Sequence, residues 1–508
     1  MNLKVQAVKN IGSNWFGVAL TFIVGFFLSP FILHKLGDDA FGLWILIFSL
    51  TGYYGIFDFG IRSSIVKYVA EFRATGDRDR LIRIVNFSIL FYGCIAFALL
   101  LLVLVGSSYV NSIFHISPRL QQVAKPLLLL VGATTALGFP LSVFAGVLEG
   151  LQKFYFINLI QGAATVLRAV LIVLALDHGL GLLSIALITT AFPLLSYLVY
   201  GWKVMQLIPL QFGARFIDGA ISKQMCNYSF FSFISMTAWR LRFQTDAVII
   251  GAMLSSSAIT YFSIASKLVG YSSLLVGGVA QIFTPMSSEF AALGDHERLR
   301  RLFVLGNRAC ALTVFPISAM LFVLGKSVID VWVGPKYEPS YQILVILLIP
   351  GVLFDIQGSS RQILYGMGRH QLLAVVNVVE GVVNVILSVV LIRYWGIIGD
   401  AFGTAIPLTL TSLFFQPPYL CRLLKVKLRD FVSQAYLLPL ALCAPFVATL
   451  ILMQHFFHPR TYMQLAAEVA VGMSVYNVGI FWLFFIREPV DLKANLTFKR
   501  YVLQAFGR

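Results

Sequence analysis

The chain has 508 residues, of which 59% are hydrophobic and 12% charged, and its mean hydropathy is +0.86. Soluble domains carry about 25% charge, so this composition excludes an ordinary soluble protein and indicates a polytopic membrane protein. A net charge of +16 would suggest nucleic acid in a soluble chain; here Lys and Arg are expected to collect in cytoplasmic loops, and no nucleic-acid partner is expected. Five scattered cysteines (Cys94, Cys226, Cys310, Cys421, Cys443) form no CxxC and no His/Cys cluster. That argues against a disulfide framework and against a zinc site.

The start, MNLKVQAVKN, leads into an apolar stretch at about residues 11–33. It is too long for a signal-peptide core and is expected to be a retained first helix. A spanning helix needs about 20 apolar residues, and about fourteen such segments follow one another. They centre near residues 22, 49, 96, 130, 166, 192, 238, 270, 314, 350, 382, 408, 445 and 474. The fold class expected is therefore all-α and integral to a membrane. Loops are short, and no soluble domain of useful size is expected between spans.

Orientation follows from basic residues. The loop after the second span holds Arg62, Lys67, Arg73, Arg78, Arg80 and Arg83. The loop after the eighth holds Arg298, Arg300 and Arg301, and the loop after the twelfth holds Arg422, Lys425, Lys427 and Arg429. The tail adds Arg487, Lys493, Lys499, Arg500 and Arg508. Even-numbered loops and both termini are expected in the cytoplasm.

One polar stretch occurs twice. Residues 71–85 read EFRATGDRDRLIRIV and residues 289–303 read EFAALGDHERLRRLF, 218 positions apart. Glu71/Glu289, Phe72/Phe290, Ala74/Ala292, Gly76/Gly294, Asp77/Asp295, Arg80/Arg298, Leu81/Leu299 and Arg83/Arg301 match. LEGLQK at 148–153 pairs with LYGMGR at 364–369, offset 216, and GLLSIA at 181–186 with GIIGDA at 396–401, offset 215. LGDDAFGLW at 36–44 pairs weakly with LSSSAITYF at 254–262, again at 218. Landmarks held in one register across the chain indicate duplication of a six-span unit. Six is even, so the copies are parallel repeats, as in transporters whose site lies between two halves. The expected division is 1–218 for spans one to six, 219–430 for spans seven to twelve, and 431–508 for two further spans and a cytoplasmic tail.

Polar groups inside spans are costly and usually face a bundle interior. In the fifth span Asn158, Gln161, Thr165 and Arg168 share a helical face, and in the eleventh Asn377, Glu380, Asn384 and Ser388 do so. At the repeat offset Gln161 falls on Asn377 and Arg168 on Asn384. Either these faces line a cavity or they bond helix to helix. The seventh span carries Arg240, Arg242 and Asp246, the last two spaced for an ion pair. Lys267 lies mid-span in the eighth, on a stripe with Thr260, Ser263 and Tyr271. Arg168, Arg240 and Lys267 are thus candidate buried cations, suited to phosphate or pyrophosphate, with a carboxylate elsewhere in the bundle as the rival partner. Arg308 reads as a snorkelling residue, and Arg361 is open between the two roles. Glu380, Asp355, Asp246 and Asp58 are candidate carboxylates for coupling protons or sodium, the rival role being pairing with Arg. Gly325-Lys326-Ser327 lacks the first glycine of a phosphate-binding loop, since Met320 stands there. No GxGxxG, GxSxG or HExxH occurs, so neither an enzyme nor a resident cofactor is expected.

The stretches SPFILHKLGDDAFGLW, DFGIRSSIVKYVAEF, LEGLQK and TDAVIIGAMLSSSAITYFSIASKL, with the fourteen-span count, resemble one family. It is the polysaccharide-export branch of the multidrug/oligosaccharidyl-lipid/polysaccharide exporter superfamily, which includes the O-antigen flippases. The resemblance covers essentially the whole chain. It departs at Ser255 and Ile259, where the first copy has Gly37 and Phe41. It implies two six-helix lobes in a V that open alternately, and a working monomer in the bacterial inner membrane. It implies as substrate an oligosaccharide on undecaprenyl pyrophosphate, bound in a cavity lined by cations. On this chain the lining set would be Arg168, Arg240, Lys267, Arg242, Gln161, Asn377 and Asn384. Membrane lipids, a polysaccharide polymerase and a chain-length regulator are the further partners implied. Two other functions stay open. One is a multidrug antiporter of the same superfamily, which would favour acids and aromatics in its cavity. The other is a membrane polymerase or glycosyltransferase, which would carry an extramembrane catalytic loop.

Overall fold

The structure is a computed structural model. It describes residues 3–213, 245–369, 371–457 and 459–482, with six single positions between 214 and 244. The described residues are helical and contain no strand. Long apolar runs leave the backbone no outside hydrogen-bond partner, and a helix satisfies it internally.

Twelve helical stretches among the described residues are long and apolar enough to cross a membrane. The chain is a multi-pass membrane protein. The expected span near residue 238 falls mostly outside the described residues. The expected spans near 382 and 408 are two helices that meet at a break, Gly396, with φ 58° and ψ −138°, and fold back on each other, since Asn384 donates to Thr404 at 2.9 Å and Ser388 to Asp400 O at 3.4 Å. Glycine is what allows that break, because a side chain there would meet the strain of the left-handed region.

The chain packs as two compact units, residues 1–260 and 261–507. In the first, α1 (Leu3–Leu36), α2 (Asp38–Gly52), α3 (Ile61–Thr75), α4 (Arg78–Gly106), α5 (Gln121–Gly150), α6 (Phe154–Asp177) and α7 (Leu182–Leu207) are joined by α8 (Thr245–Met253). Tyr68, Phe72, Tyr92, Val143 and Tyr200 belong to one of its buried clusters. In the second unit, α9 (His296–Val333), which opens on the second copy of the repeat, is packed by α10 (Leu438–Phe456). There Phe303 stacks on Phe431 with ring centres 4.3 Å apart. Outward positions such as Leu101, Leu102 and Leu104 are exposed and apolar, as a lipid-facing surface requires.

The repeated polar stretch is a repeated corner. Gly76 and Gly294 end their helices in the left-handed region, at φ 73° and 67°. Asp77 and Asp295 then cap the next helices, each carboxylate accepting from the backbone N–H of Arg80 or Arg298 at 3.0 Å. Each aspartate also pairs with that arginine, at 3.3 and 3.1 Å. The arginine in turn lies over the ring of Phe72 or Phe290, at 5.7 and 5.8 Å. Four of the matched residues therefore serve one device: a helix stop, a helix start and a clamp between them. The second landmark repeats as well. Gln152 and Gly368 are both left-handed, at φ 59° and 68°. Lys153 N–H donates to Leu148 O and Arg369 N–H to Leu364 O, both at 2.9 Å.

Because the two caps share one geometry, Asp77→Ala and Asp295→Ala should each cost about 1 kcal/mol. Denaturant unfolding in detergent micelles checks this, and clearly unequal losses would show that the corners are not equivalent.

Candidate functional site

The first unit holds a charged network at the C-terminal ends of α2 and α5. Asp58 follows α2, Arg62 lies in the first turn of α3, Glu149 ends α5 and Tyr92 is on α4. Arg62 grips Glu149, with Nη2 to Oε1 at 2.6 Å and Nε to Oε2 at 3.5 Å. Tyr92 donates its hydroxyl to Asp58 Oδ1. Burial works against the charge on Arg62, but the Glu149 carboxylate more than offsets it, so its pKa is raised above the ordinary value.

Asp58 and Arg62 line a cavity of about 390 Å³ whose walls are rich in hydroxyls. Thr51 comes from α2, Thr134, Thr135 and Ser142 from α5, and Thr189, Thr190 and Tyr197 from α7. Among the described residues the buried Thr189 Oγ1 has no hydrogen-bond partner. Buried polar atoms without partners are uncommon, and a wet or ion-binding cavity is one of their ordinary explanations.

The duplication supplies an internal comparison. At the offset of 218, Asp58, Arg62 and Tyr92 correspond to Val276, Ala280 and Cys310. Those three sit together in one apolar cluster of the second unit, with Val314 and Ile356. The same helical framework thus carries apolar side chains at these three positions in one copy and charged or hydroxyl-bearing ones in the other. The repeat fold does not need the network, which makes the network a functional candidate.

The second unit has its own polar groups, at different repeat positions. Asp355 accepts from Ser273 at 2.9 Å. Arg361 donates to Phe354 O at 2.7 Å and stacks on the Phe354 ring at 3.5 Å. Glu380 is buried and accepts from Thr411 Oγ1 at 2.5 Å. Asn384 is buried and donates to Thr404 at 2.9 Å, and Asn377 is half-buried. Lys267 is half-buried, on the face that carries the buried Ser263. Arg308, buried, donates to Gln434 O at 2.8 Å.

In the first unit Arg168 is half-buried on α6, next to the buried Thr165 and Ile172 on that helix face, whereas Gln161 is exposed. No hydrogen bond or ion pair to Arg168 occurs among the described residues. Asp246 lies in the first turn of α8 and is half-buried. Arg240 and Arg242 lie outside the described residues. Arg62, Tyr92 and Glu149 were not among the site residues expected from the sequence. The usable signal was a mismatch within the repeat, a charge in one copy facing an apolar residue in the other.

A helical membrane bundle with duplicated corners and charge at a few interior sites defines a polytopic membrane protein built on an internal repeat. The chain matches the family described as "Polysaccharide biosynthesis protein" over residues 7–291, more than half its length. It belongs to that family. It is 21% identical over 419 residues to a protein of Shigella flexneri provisionally named an O-antigen transporter, covering 81% of this chain and 97% of the other. It is 22% identical over 438 residues to the probable low-salt glycan biosynthesis flippase Agl15 of Haloferax volcanii, covering 84% and 85%. Its fold is similar to that of the lipid II flippase MurJ in an inward closed conformation. The TM-score is 0.70 at 16% identity, over 92% of this chain and 98% of that one.

A double-mutant cycle on Arg62→Gln and Glu149→Gln should give a coupling of roughly 1–3 kcal/mol, since each single change strands a partly buried charge. Unfolding in detergent measures it, and a coupling near zero would make the 2.6 Å contact energetically idle.

Proposed function

We propose that this chain is a flippase for an oligosaccharide linked to undecaprenyl pyrophosphate. It would move O-antigen, capsule or exopolysaccharide repeat units from the cytoplasmic to the outer leaflet of the bacterial inner membrane, with both termini in the cytoplasm. Family membership and the names of the relatives support the transport class. The observation that carries the substrate chemistry is Arg168. It lies nine residues from the end of α6 at Asp177, about 14 Å at a rise of 1.5 Å per residue. A guanidinium at that depth with no acid partner among the described residues calls for an anion from outside the chain. Pyrophosphate fits, because its oxygens accept the paired N–H groups of the guanidinium. In this reading the headgroup enters from the cytoplasm and meets Arg168, with Lys267, Arg240 and Arg242 as further cations. Gln161, Asn377 and Asn384 complete the lining set, and the lipid tail stays in the bilayer.

Ion exchange at a carboxylate would reset the cycle. Of Asp58, Asp246, Asp355 and Glu380, Asp58 opens on the hydroxyl-lined cavity, which offers a proton or sodium ion a polar route. Glu380 is the second choice, a buried carboxylate that accepts from the Thr411 hydroxyl.

Deletion of the gene should trap the lipid-linked unit in the cytoplasmic leaflet and abolish the surface polysaccharide. Normal polysaccharide with raised sensitivity to cationic drugs would sink the reading in favour of an antiporter. Failure to make the lipid-linked unit at all would favour an enzyme. Arg168→Gln should cut flipping by about tenfold or more at unchanged protein level, the scale of one charged hydrogen-bonding contact. Lys267→Gln and Arg240→Gln should act in the same direction. In proteoliposomes, Asp58→Asn should remove the response of transport to an imposed pH or sodium gradient. A full response in Asp58→Asn and its loss in Glu380→Gln would move the coupling site to the second unit.

A further inference from the structure

A second pocket of the first unit lies at its cytoplasmic edge, where the repeated corner meets the ends of α5 and α7. Its volume is about 380 Å³, in the range of small-ligand sites. Arg73, Arg78 and Lys153 line it, with no acidic side chain. Of the acids beside it in sequence, Glu71, Asp77 and Asp79, none lines it, and Asp77 is occupied by the backbone N–H and guanidinium of Arg80. Arg73 is held in place by one bond from Nη1 to Leu151 O at 2.8 Å, which leaves its other N–H groups available. No hydrogen bond or ion pair to the side chains of Arg78 or Lys153 occurs among the described residues. The rest of the wall is apolar, including Phe72, Leu151 and Ile208.

The second copy shows that these cations are not needed to build the corner. Its glycine, capping aspartate, arginine and phenylalanine repeat the geometry within a few tenths of an ångström. Yet Ala291 stands at the position of Arg73 and His296 at that of Arg78. Two cations have therefore been placed on a framework that folds without them.

Three cations converge on a space with hydrocarbon walls at a membrane interface. We infer that this pocket binds the phosphate headgroup of an acidic glycerophospholipid of the cytoplasmic leaflet. The leaflet itself is anionic, and each basic residue near its surface adds to the attraction. Arg73 and Arg78 take the phosphate oxygens, Lys153 adds a point charge, and the apolar wall receives the glycerol and the first acyl carbons. The lining argues against a sugar-bearing lipid. It presents no hydroxyl, amide or carboxylate side chain, the groups that read a glycan, in contrast to the cavity at Asp58. The site is separate from Arg168 and stands whether or not the flippase reading does.

The test uses the full-length protein in a neutral detergent, with thermal unfolding followed as lipid is added. Phosphatidylglycerol should protect saturably, and phosphatidylcholine should not. The variant Arg73→Ala with Arg78→His imports the second copy's own residues, so its unfolding temperature without lipid should match the parent. At about pH 8, where histidine is neutral, its affinity for phosphatidylglycerol should fall roughly thirtyfold. Arg73→Lys with Arg78→Lys should keep most of the preference. Equal protection by the two lipids, or an unchanged affinity in the Ala/His variant, would overturn the inference. So would equal protection by inorganic phosphate, which would mean a free-anion site. Displacement of phosphatidylglycerol by far less undecaprenyl phosphate would assign the pocket to the carrier lipid instead, and the inference would likewise fall.

Discussion

A hydrocarbon interior gives a polar backbone no partner, and every other feature of this protein answers to that constraint. Helices are the local answer, and the cost returns wherever a helix must end or a side chain must carry charge. Helix ends are handled at the corners. At 76–80 and 294–298 one short polar motif stops a helix, starts the next and ties the two together with an arginine. Interior charge is handled by pairing, as Arg62 with Glu149, or by a hydroxyl, as Asp355 with Ser273 and Glu380 with Thr411.

Duplication makes it possible to separate what the fold requires from what has been added. Features present in both copies, the left-handed glycines and the capping aspartates, belong to the framework. Features in one copy alone sit on top of it. Asp58, Arg62 and Tyr92 face Val276, Ala280 and Cys310 across the repeat, and the apolar set packs well in the second unit. The charged set costs desolvation that its own framework does not demand. Retaining it is explicable if the charges act on something that passes through the membrane.

Much of the architecture was legible in the residues. Apolar runs located the helices because burial in lipid needs length and hydrophobicity and little else. The repeated stretch located the corners, although the reason for each matched residue appeared only in the geometry. Other features were hidden. Arg62 looked like one more loop cation, because its partner Glu149 is 87 positions away and nothing local announces the pair. Asn384 lay on a polar stripe that suits a cavity wall, and it is buried against Thr404. Polar periodicity marks the inward face of a helix without saying whether water or another helix lies there. The sequence placed one span on each side of Gly396, near 382 and 408, but single glycines are common in membrane helices and nothing marked this one as the turning point.

The matched corners also bear on how the chain assembles. Two segments with the same turn chemistry are able to exchange places during synthesis, a known failure of repeat proteins. What distinguishes them is the flesh behind the turn. Val85 packs in the first copy where Phe303, stacked on Phe431, packs in the second. Tyr92 fills a site that Cys310 fills in the other. A swapped pair would leave a void on one side and an overfilled seat on the other. Divergence in the buried positions, against constancy at the corners, is therefore what gives each half an address of its own.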